Sequence, residues 1–301
     1  MTTSRSFRFH TLDVFTTSRF GGNPLAVVPD ADGLTSDEMQ SIAREFNLSE
    51  TTFVLPPQAG GTQRVRIFTP AAELPFAGHP TVGTALLLHG LTTPSSEQSR
   101  FVFEEGVGPV HVDVRCDRGS CFAELQVAQP VEVRPVLLDI TELAALVSVT
   151  PADIDRNAPA PCAASVGLPF LVLPLTDVAA LGRAGLDNTR WAATLRGTWA
   201  PQIYLYVLQD GREGSNVRVR MFSPALGVVE DPATGSAAAA FAAFMASLAP
   251  DRSEQHWTIS QGIELGRPST LHARFARGTD GKANIFVGGH AVRISEGTLW
   301  L

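Results

Sequence analysis

The chain has 301 residues, of which 44% are hydrophobic and 18% charged. Ordinary globular chains carry about 25% charged residues, so this one has the apolar content to bury two domains of about 150 residues each, and disorder is excluded as its main state. With 23 basic against 30 acidic side chains the net charge is −7, and with no basic run nucleic acid is excluded as an expected partner. In chain order, Phe7–Phe15 and Leu25–Val28 read as strands. Thr35 and Glu38 have capping-box spacing, and Met39, Ile42, Ala43 and Phe46 follow at helical intervals. Asn47 suits the left-handed position that closes that helix. Thr51–Leu55 and Val65–Phe68 read as strands, and a helix follows Pro80 through Ala85-Leu86-Leu87-Leu88. Phe101–Val133 supplies further strands. A second apolar helix is expected over Ser236–Leu248, and Trp257–Ile294 returns to strands.

No membrane span is expected. The uncharged stretches Leu74–Ser96 and Asn157–Thr176 are broken by prolines. The apolar run Ala237–Ala249 makes about 20 Å of helix, short of the roughly 30 Å hydrocarbon core. The opening MTTSRSFRFHTLDVF lacks the apolar core of a secretory signal. Cys116, Cys121 and Cys162 are too few and too irregular for a disulfide framework or a zinc site. A reducing, cytoplasmic setting is the simplest expectation.

An internal repeat organises the chain. RIFTPAAELPFAGHPTVGTA from Arg66 matches RMFSPALGVVEDPATGSAAA from Arg220. Arg66/Arg220, Phe68/Phe222 and Pro70/Pro224 share one spacing. After a short slip, His79/Asp231, Pro80/Pro232, Gly83/Gly235 and Thr84/Ser236 share another, close to half the chain. Gly22-Asn23-Pro24 echoes Gly167-Leu168-Pro169. Two homologous halves follow, and each reads as short strands around one helix that is apolar all round and so buried on every side. The division is placed at residues 1–130 and 131–301, with the last strand able to return to the first domain.

Both copies of the motif sit where a helix opens. Gly83-Thr84 and Gly235-Ser236 are expected to present free backbone N–H groups and a hydroxyl at a helix N-terminus, which favours a carboxylate or phosphate. Two such ends on one cleft predict a small anionic ligand; ordinary capping is the alternative for either end alone. His79 and Asp231 lie just upstream. A histidine near a carboxylate suits proton transfer near neutral pH, against the alternatives of a structural histidine and a helix-start carboxylate. Glu50 opens the apolar strand Thr51–Leu55 between Leu48 and Phe53. Partial desolvation there would suit it to general acid/base work; a solvent-facing strand end is the competing reading. His10, His89, His111, His256, His272 and His290 form no ligand spacing, so no metal site is expected. Dinucleotide-binding, Walker and nucleophile-elbow motifs are absent.

The segments DVFTTSRFGGNPLAVV (Asp13–Val28), NLSETTFV (Asn47–Val54), RIFTPAAELPFAGHPTVGTA, FSPALGVVEDPATGSAA (Phe222–Ala238) and QGIELGRPS (Gln261–Ser269) together resemble the phenazine-biosynthesis PhzF-like isomerase family. The resemblance implies an α+β, diaminopimelate-epimerase-like fold. In that fold two pseudo-twofold-related domains each form a mostly antiparallel barrel around a central helix, with the site between them. It also implies Glu50 as the main acid/base, with His79, Asp231 and Ser236 completing the site. Gly78 of the AGHP motif, Gly83, Thr84, Thr234 and Gly235 are the expected substrate-binding positions. No cofactor is implied, and family members often form homodimers. The expected function is a cofactor-independent isomerase moving a proton within a small carboxylate-bearing metabolite. An amino-acid racemase or epimerase of the same fold is an alternative. It is disfavoured because Val82/Thr84 and Thr234/Ser236, not cysteines, flank the two glycines. A non-catalytic small-acid-binding protein is another.

Overall fold

The computed structural model describes residues 5–127, 129–209, 216–278 and 281–301. The chain runs β1 (Ser6–Val14), β2 (Asn23–Val28), α1 (Ser36–Phe46), β3 (Glu50–Leu55), β4 (Gln63–Phe68), β5 (Glu73–Leu74), α2 (Gly78–Thr92), β6 (Gln98–Glu105), β7 (Gly108–Asp117) and β8 (Ser120–Val127). It continues through β9 (Glu132–Pro135), α3 (Ile140–Leu146), β10 (Cys162–Ser165), β11 (Pro169–Pro174), α4 (Val178–Arg183), α5 (Asn188–Thr194), β12 (Gln202–Leu208), β13 (Asn216–Ser223) and β14 (Val228–Asp231). The last elements are α6 (Gly235–Ser247), β15 (Glu254–Gln261), β16 (Ser269–Arg277), β17 (Ala283–Gly289) and β18 (Ala291–Trp300). Two compact units result: Met1–Gln126 with Gly288–Leu301, and Val127–Val287. The boundary therefore falls a few residues before the division expected at 130/131. The final segment joins the first unit because β18 pairs antiparallel along the whole of β1.

In the first unit, β18, β1 and β2 are antiparallel neighbours, and β2 runs parallel to β3. β3 pairs antiparallel with β4, which runs parallel to β6, and β6, β7 and β8 form a meander. The second unit repeats this order of steps. β9, β10 and β11 are antiparallel, β11 runs parallel to β12, β12 pairs antiparallel with β13, β13 runs parallel to β15, and β15 pairs antiparallel with β16. The sequence repeat is thus a repeat of strand pairing, within an α+β fold.

Both apolar helices are cores. Every residue of α2 from Gly78 to His89 is buried, and the helix packs on β1, β2, β3, β7 and β18. In α6, Phe241 meets Tyr204, Tyr206 and Trp257. A second apolar layer lies under α1 through Met39, Ile42, Phe53 and Phe68, and under α3–α5 through Leu143, Leu181, Trp191 and Leu205. The α1 capping box forms in both directions, and Asn47 closes the helix at φ 49°, ψ 33°.

Two local expectations change. The first apolar helix begins at Gly78, not after Pro80: proline lacks only an N–H that the first helical turn leaves unpaired anyway, so Pro80 sits inside that turn. Cys116 and Cys121, for which the sequence suggested no disulfide framework, are cross-strand partners joined as a disulfide, with Cα atoms 4.1 Å apart. Arg118 and Gly119, both at positive φ, make the tight turn that brings them opposite. Among the described residues, no helix is long and apolar enough to cross a membrane.

Candidate active site

The left-handed Asn47 reverses the chain after α1, and Glu50 becomes the first residue of β3, in parallel register with Leu25 of β2. Its side chain is 17% exposed. That is too little for the solvent-facing strand end the sequence left open, and it fits a partly desolvated carboxyl.

His79 is the second residue of α2 and is buried. Its Nε2 lies 3.2 Å from Glu50 Oε2, without yet being aligned as a hydrogen bond. The ring also donates to the carbonyl of Pro24. That residue is held in β2 opposite Asp13 of β1. Burial pulls the His79 pKa down to about 3, the Pro24 bond opposing only part of the effect. The imidazole is therefore neutral near pH 7. With its one proton given to Pro24, the nitrogen facing Glu50 carries a lone pair. A protonated Glu50 can donate to it, whereas an ionised Glu50 sets two acceptors face to face. The pair thus has a place for one transferable proton.

Gly83 and Thr84 are not at a helix start, because α2 begins more than a turn earlier. Their amides lie inside the helix. A Cβ on Gly83 would stand 2.6 Å from both Leu25 Cδ2 and Val14 Cγ2, so this glycine lets α2 lie against β1 and β2. The Thr84 hydroxyl is fully buried and bonded to Thr52 Oγ1 at 2.9 Å. It ties α2 to the strand that starts with Glu50. Both residues fix α2, which carries His79, against β1, β2 and β3. Gly78 is the helix's first residue, and no side chain caps that end.

Glu105 was not singled out from sequence. It is buried at the end of β6, where burial pushes its pKa up to about 8. Thr81 Oγ1 lies 2.8 Å from the Ala77 carbonyl and 2.7 Å from Glu105 Oε1. One hydroxyl proton cannot serve both. Whichever it serves, burial outweighs the lowering effect of a bond from Thr81 and favours Glu105 as a neutral acid. The available signal was strand alternation: Phe103 and Glu105 share the inward face of β6.

In the second unit, Asp231 ends β14 and is outside the helix, unlike His79. Its Oδ2 accepts from Thr234 Oγ1 at 2.6 Å. The buried Gln261 amide donates to the Asp231 carbonyl and to Thr234 Oγ1, and accepts from the Thr234 amide. The Thr234 amide and hydroxyl thus tie the turn before α6 together. Gly262, at φ +74°, passes so close to the Pro232 and Arg267 carbonyls that a Cβ would stand 2.5 Å from each. Gly235 and Ser236 do open α6, with no side-chain cap, and Ser236 is half-buried. The repeated arginines are structural. Arg66 grips Glu73 and Arg220 grips Glu230 through paired 2.7 Å bonds, each lying over the phenylalanine two residues on.

Comparison with known proteins agrees with this architecture. A family described as phenazine biosynthesis-like protein matches residues 12–297. The chain is 43% identical over 295 residues to an uncharacterized isomerase of Mesorhizobium japonicum, covering 96% of this chain and 97% of that one. It is 36% identical over 299 residues to the trans-2,3-dihydro-3-hydroxyanthranilate isomerase of Pseudomonas aeruginosa, covering 98% and 99%. A crystal structure of a Bacillus anthracis phenazine biosynthesis protein superposes with a TM-score of 0.89 at 26% identity, over 99% of this chain and all of the other. A hydroxyproline epimerase from Agrobacterium vitis shares the fold at a TM-score of 0.62 and 12% identity, covering 99% of this chain and 93% of that one.

Proposed function

The chain belongs to the phenazine biosynthesis-like protein family and is an isomerase, and from that membership we propose the finer reading: its own side chains move a proton between two carbons of a small cyclic carboxylic acid. Glu50 as carboxylate takes the proton from one carbon. The His79 lone pair then holds the protonated carboxyl in place, since a hydrogen bond to the neutral acid favours that form. The same group returns the proton to a second carbon on the same face. The substrate carboxylate is proposed to lie at the start of α2, where the Gly78 and His79 amides precede the first intrahelical bond. Asp231, Gly235 and Ser236 are proposed as further substrate-orienting groups. The observation that carries the reading is the 3.2 Å approach of a half-buried carboxyl to a buried, neutral imidazole.

Relatives named trans-2,3-dihydro-3-hydroxyanthranilate isomerase make that compound the first substrate to try, followed by other cyclic and linear acids. The reaction is run in deuterated water after dialysis against chelator. Conversion with deuterium entering one carbon supports the proposal, provided Glu50→Gln lowers the rate by at least a hundredfold. Full deuterium incorporation by Glu50→Gln refutes the role of Glu50. Rapid exchange at the α-carbon of free amino acids would instead point to racemisation.

A further inference from the structure

A second cluster of chemistry-bearing side chains lies at the other end of α2, independent of the isomerase reading. His89 is buried near the helix C-terminus, and its Nε2 is 3.1 Å from Cys116 Sγ. Cys121 faces Cys116 across the β7–β8 hairpin. The donor atoms of all three residues lie within 4.8 Å of one another, and both cysteines are half-buried. No scan for short ligand spacings finds this set, because a helix and two strands supply it.

The surroundings of His89 orient it. Its Nδ1 is 2.8 Å from Ser99 Oγ, Ser99 Oγ is 2.9 Å from Thr93 Oγ1, and Thr93 Oγ1 is 3.4 Å from the His89 carbonyl. Run as Nδ1–H to Ser99, Ser99 to Thr93 and Thr93 to the carbonyl, this chain satisfies each hydroxyl with one direction of donation. The ring is then fixed as the tautomer whose Nε2 lone pair points at the sulfur. A histidine ligand held by a hydrogen bond on its other nitrogen is the usual support of a bound metal.

We propose that the reduced chain binds one thiophilic divalent cation of the zinc class through His89 Nε2, Cys116 Sγ and Cys121 Sγ. Metal–sulfur bonds of about 2.3 Å and a metal–nitrogen bond of about 2.0 Å place tetrahedral donors roughly 3.5–3.8 Å apart. The imidazole is already near that distance, and the sulfurs reach it once their mutual bond is broken. Water takes the fourth position. The disulfide in the structure is the form in which this site is closed. A low-molecular-weight disulfide can produce it from the metal-loaded form. One thiolate attacks that disulfide and expels a thiolate. The second protein thiolate then attacks the mixed disulfide and expels the other. The protein pair loses two electrons, the small disulfide gains them as two thiols after taking two protons, and the cation goes to solvent.

The test uses the whole chain in both oxidation states. Protein reduced with a phosphine, then freed of it, is titrated with Zn²⁺ against a chromophoric chelator, and with Co²⁺ while the near-ultraviolet thiolate-to-cobalt band is recorded. The expected result is one ion per chain and a charge-transfer band in the reduced protein, with at least a hundredfold weaker binding after oxidation to the disulfide. The double variant Cys116→Ser/Cys121→Ser should lose the ion, and His89→Gln should bind at least tenfold more weakly. Equal binding by the reduced and oxidised chains, or none by the reduced chain, overturns the site, and this comparison needs no substitution. Undiminished binding by His89→Gln overturns the three-donor assignment.

Discussion

His79 Nε2 stands 3.2 Å from Glu50 Oε2, with the imidazole buried and its ring N–H spent on the Pro24 carbonyl. A histidine in this state does not titrate where free imidazole does. Nitrogen NMR of protein labelled at histidine is expected to show His79 neutral, in a single tautomer, throughout pH 5–8. The pH profile of kcat should then lack a limb near 6.5 that His79→Asn removes. A His79 resonance titrating near 6.5 would contradict the proton assignment, whatever the substrate proves to be.

Glu105 and His79 make opposite contributions to stability as pH changes. His79 is held near 3, below its ordinary 6.5. The unfolded chain therefore takes up that proton first, and stability falls as pH drops from about 6.5 toward 3. Glu105 is held near 8, above its ordinary 4.5. The folded chain keeps a proton that the unfolded chain gives up, so stability falls as pH rises from about 4.5 to about 8 and levels off beyond. The two slopes oppose each other between about 4.5 and 6.5 and leave a plateau there. Glu105→Gln should remove the alkaline decline, which is on the order of a few kcal/mol. Urea unfolding at pH 5.5, 7 and 8.5 measures it, and an unchanged decline in the variant excludes Glu105 as its source.

Gly83 and Thr84 give a prediction about distance. Gly83→Ala puts a methyl 2.6 Å from Leu25 and Val14, both fully buried. The expected cost is about 1–3 kcal/mol for overpacking, with a fall in kcat because α2 carries His79. Thr84→Val keeps the shape and breaks the bond to Thr52. Thr52 Oγ1 also approaches the Ala26 carbonyl at 3.5 Å, so the loss should be smaller, about 1 kcal/mol. Were the two residues substrate contacts, KM would rise with stability unchanged.

The fold was legible because its signals are periodic and duplicated. The α1 capping box, the left-handed Asn47 and the two apolar helices each follow from local spacing, and the repeat beginning at Arg66 and Arg220 carried the paired architecture. The misplacement of Gly83 and Thr84 had a local cause: Pro80 was taken as the boundary of a helix whose first turn contains it. Asp231-Pro232 has the same look in sequence yet lies in a strand end and turn, because Gln261, 30 residues further on, holds it there. Glu105, Gln261 and the His89–Cys116–Cys121 cluster depend on tertiary neighbours, which spacing does not reveal.

Gln261 gives the last prediction. Its amide makes three bonds to the turn before α6: to the Asp231 carbonyl, the Thr234 amide and the Thr234 hydroxyl. The side chain is fully buried, so water is poorly placed to replace it. Gln261→Leu keeps the bulk and removes all three partners. The stranded backbone groups each cost about 1–3 kcal/mol, so a loss of roughly 2–4 kcal/mol is expected. Gln261→Glu separates the two sides of the amide. An ionised carboxylate can still accept from the Thr234 amide but cannot donate to the Asp231 carbonyl, so this variant should lose stability as pH rises and the new carboxyl ionises. If Asp231 orients substrate, both variants should also raise KM more than they lower kcat, because the turn that aims its carboxylate is loosened. Chemical denaturation beside steady-state kinetics separates these outcomes. A Gln261→Leu protein with wild-type stability would show that the turn holds without the clamp, and unchanged KM in a destabilised variant would remove Asp231 from the substrate site.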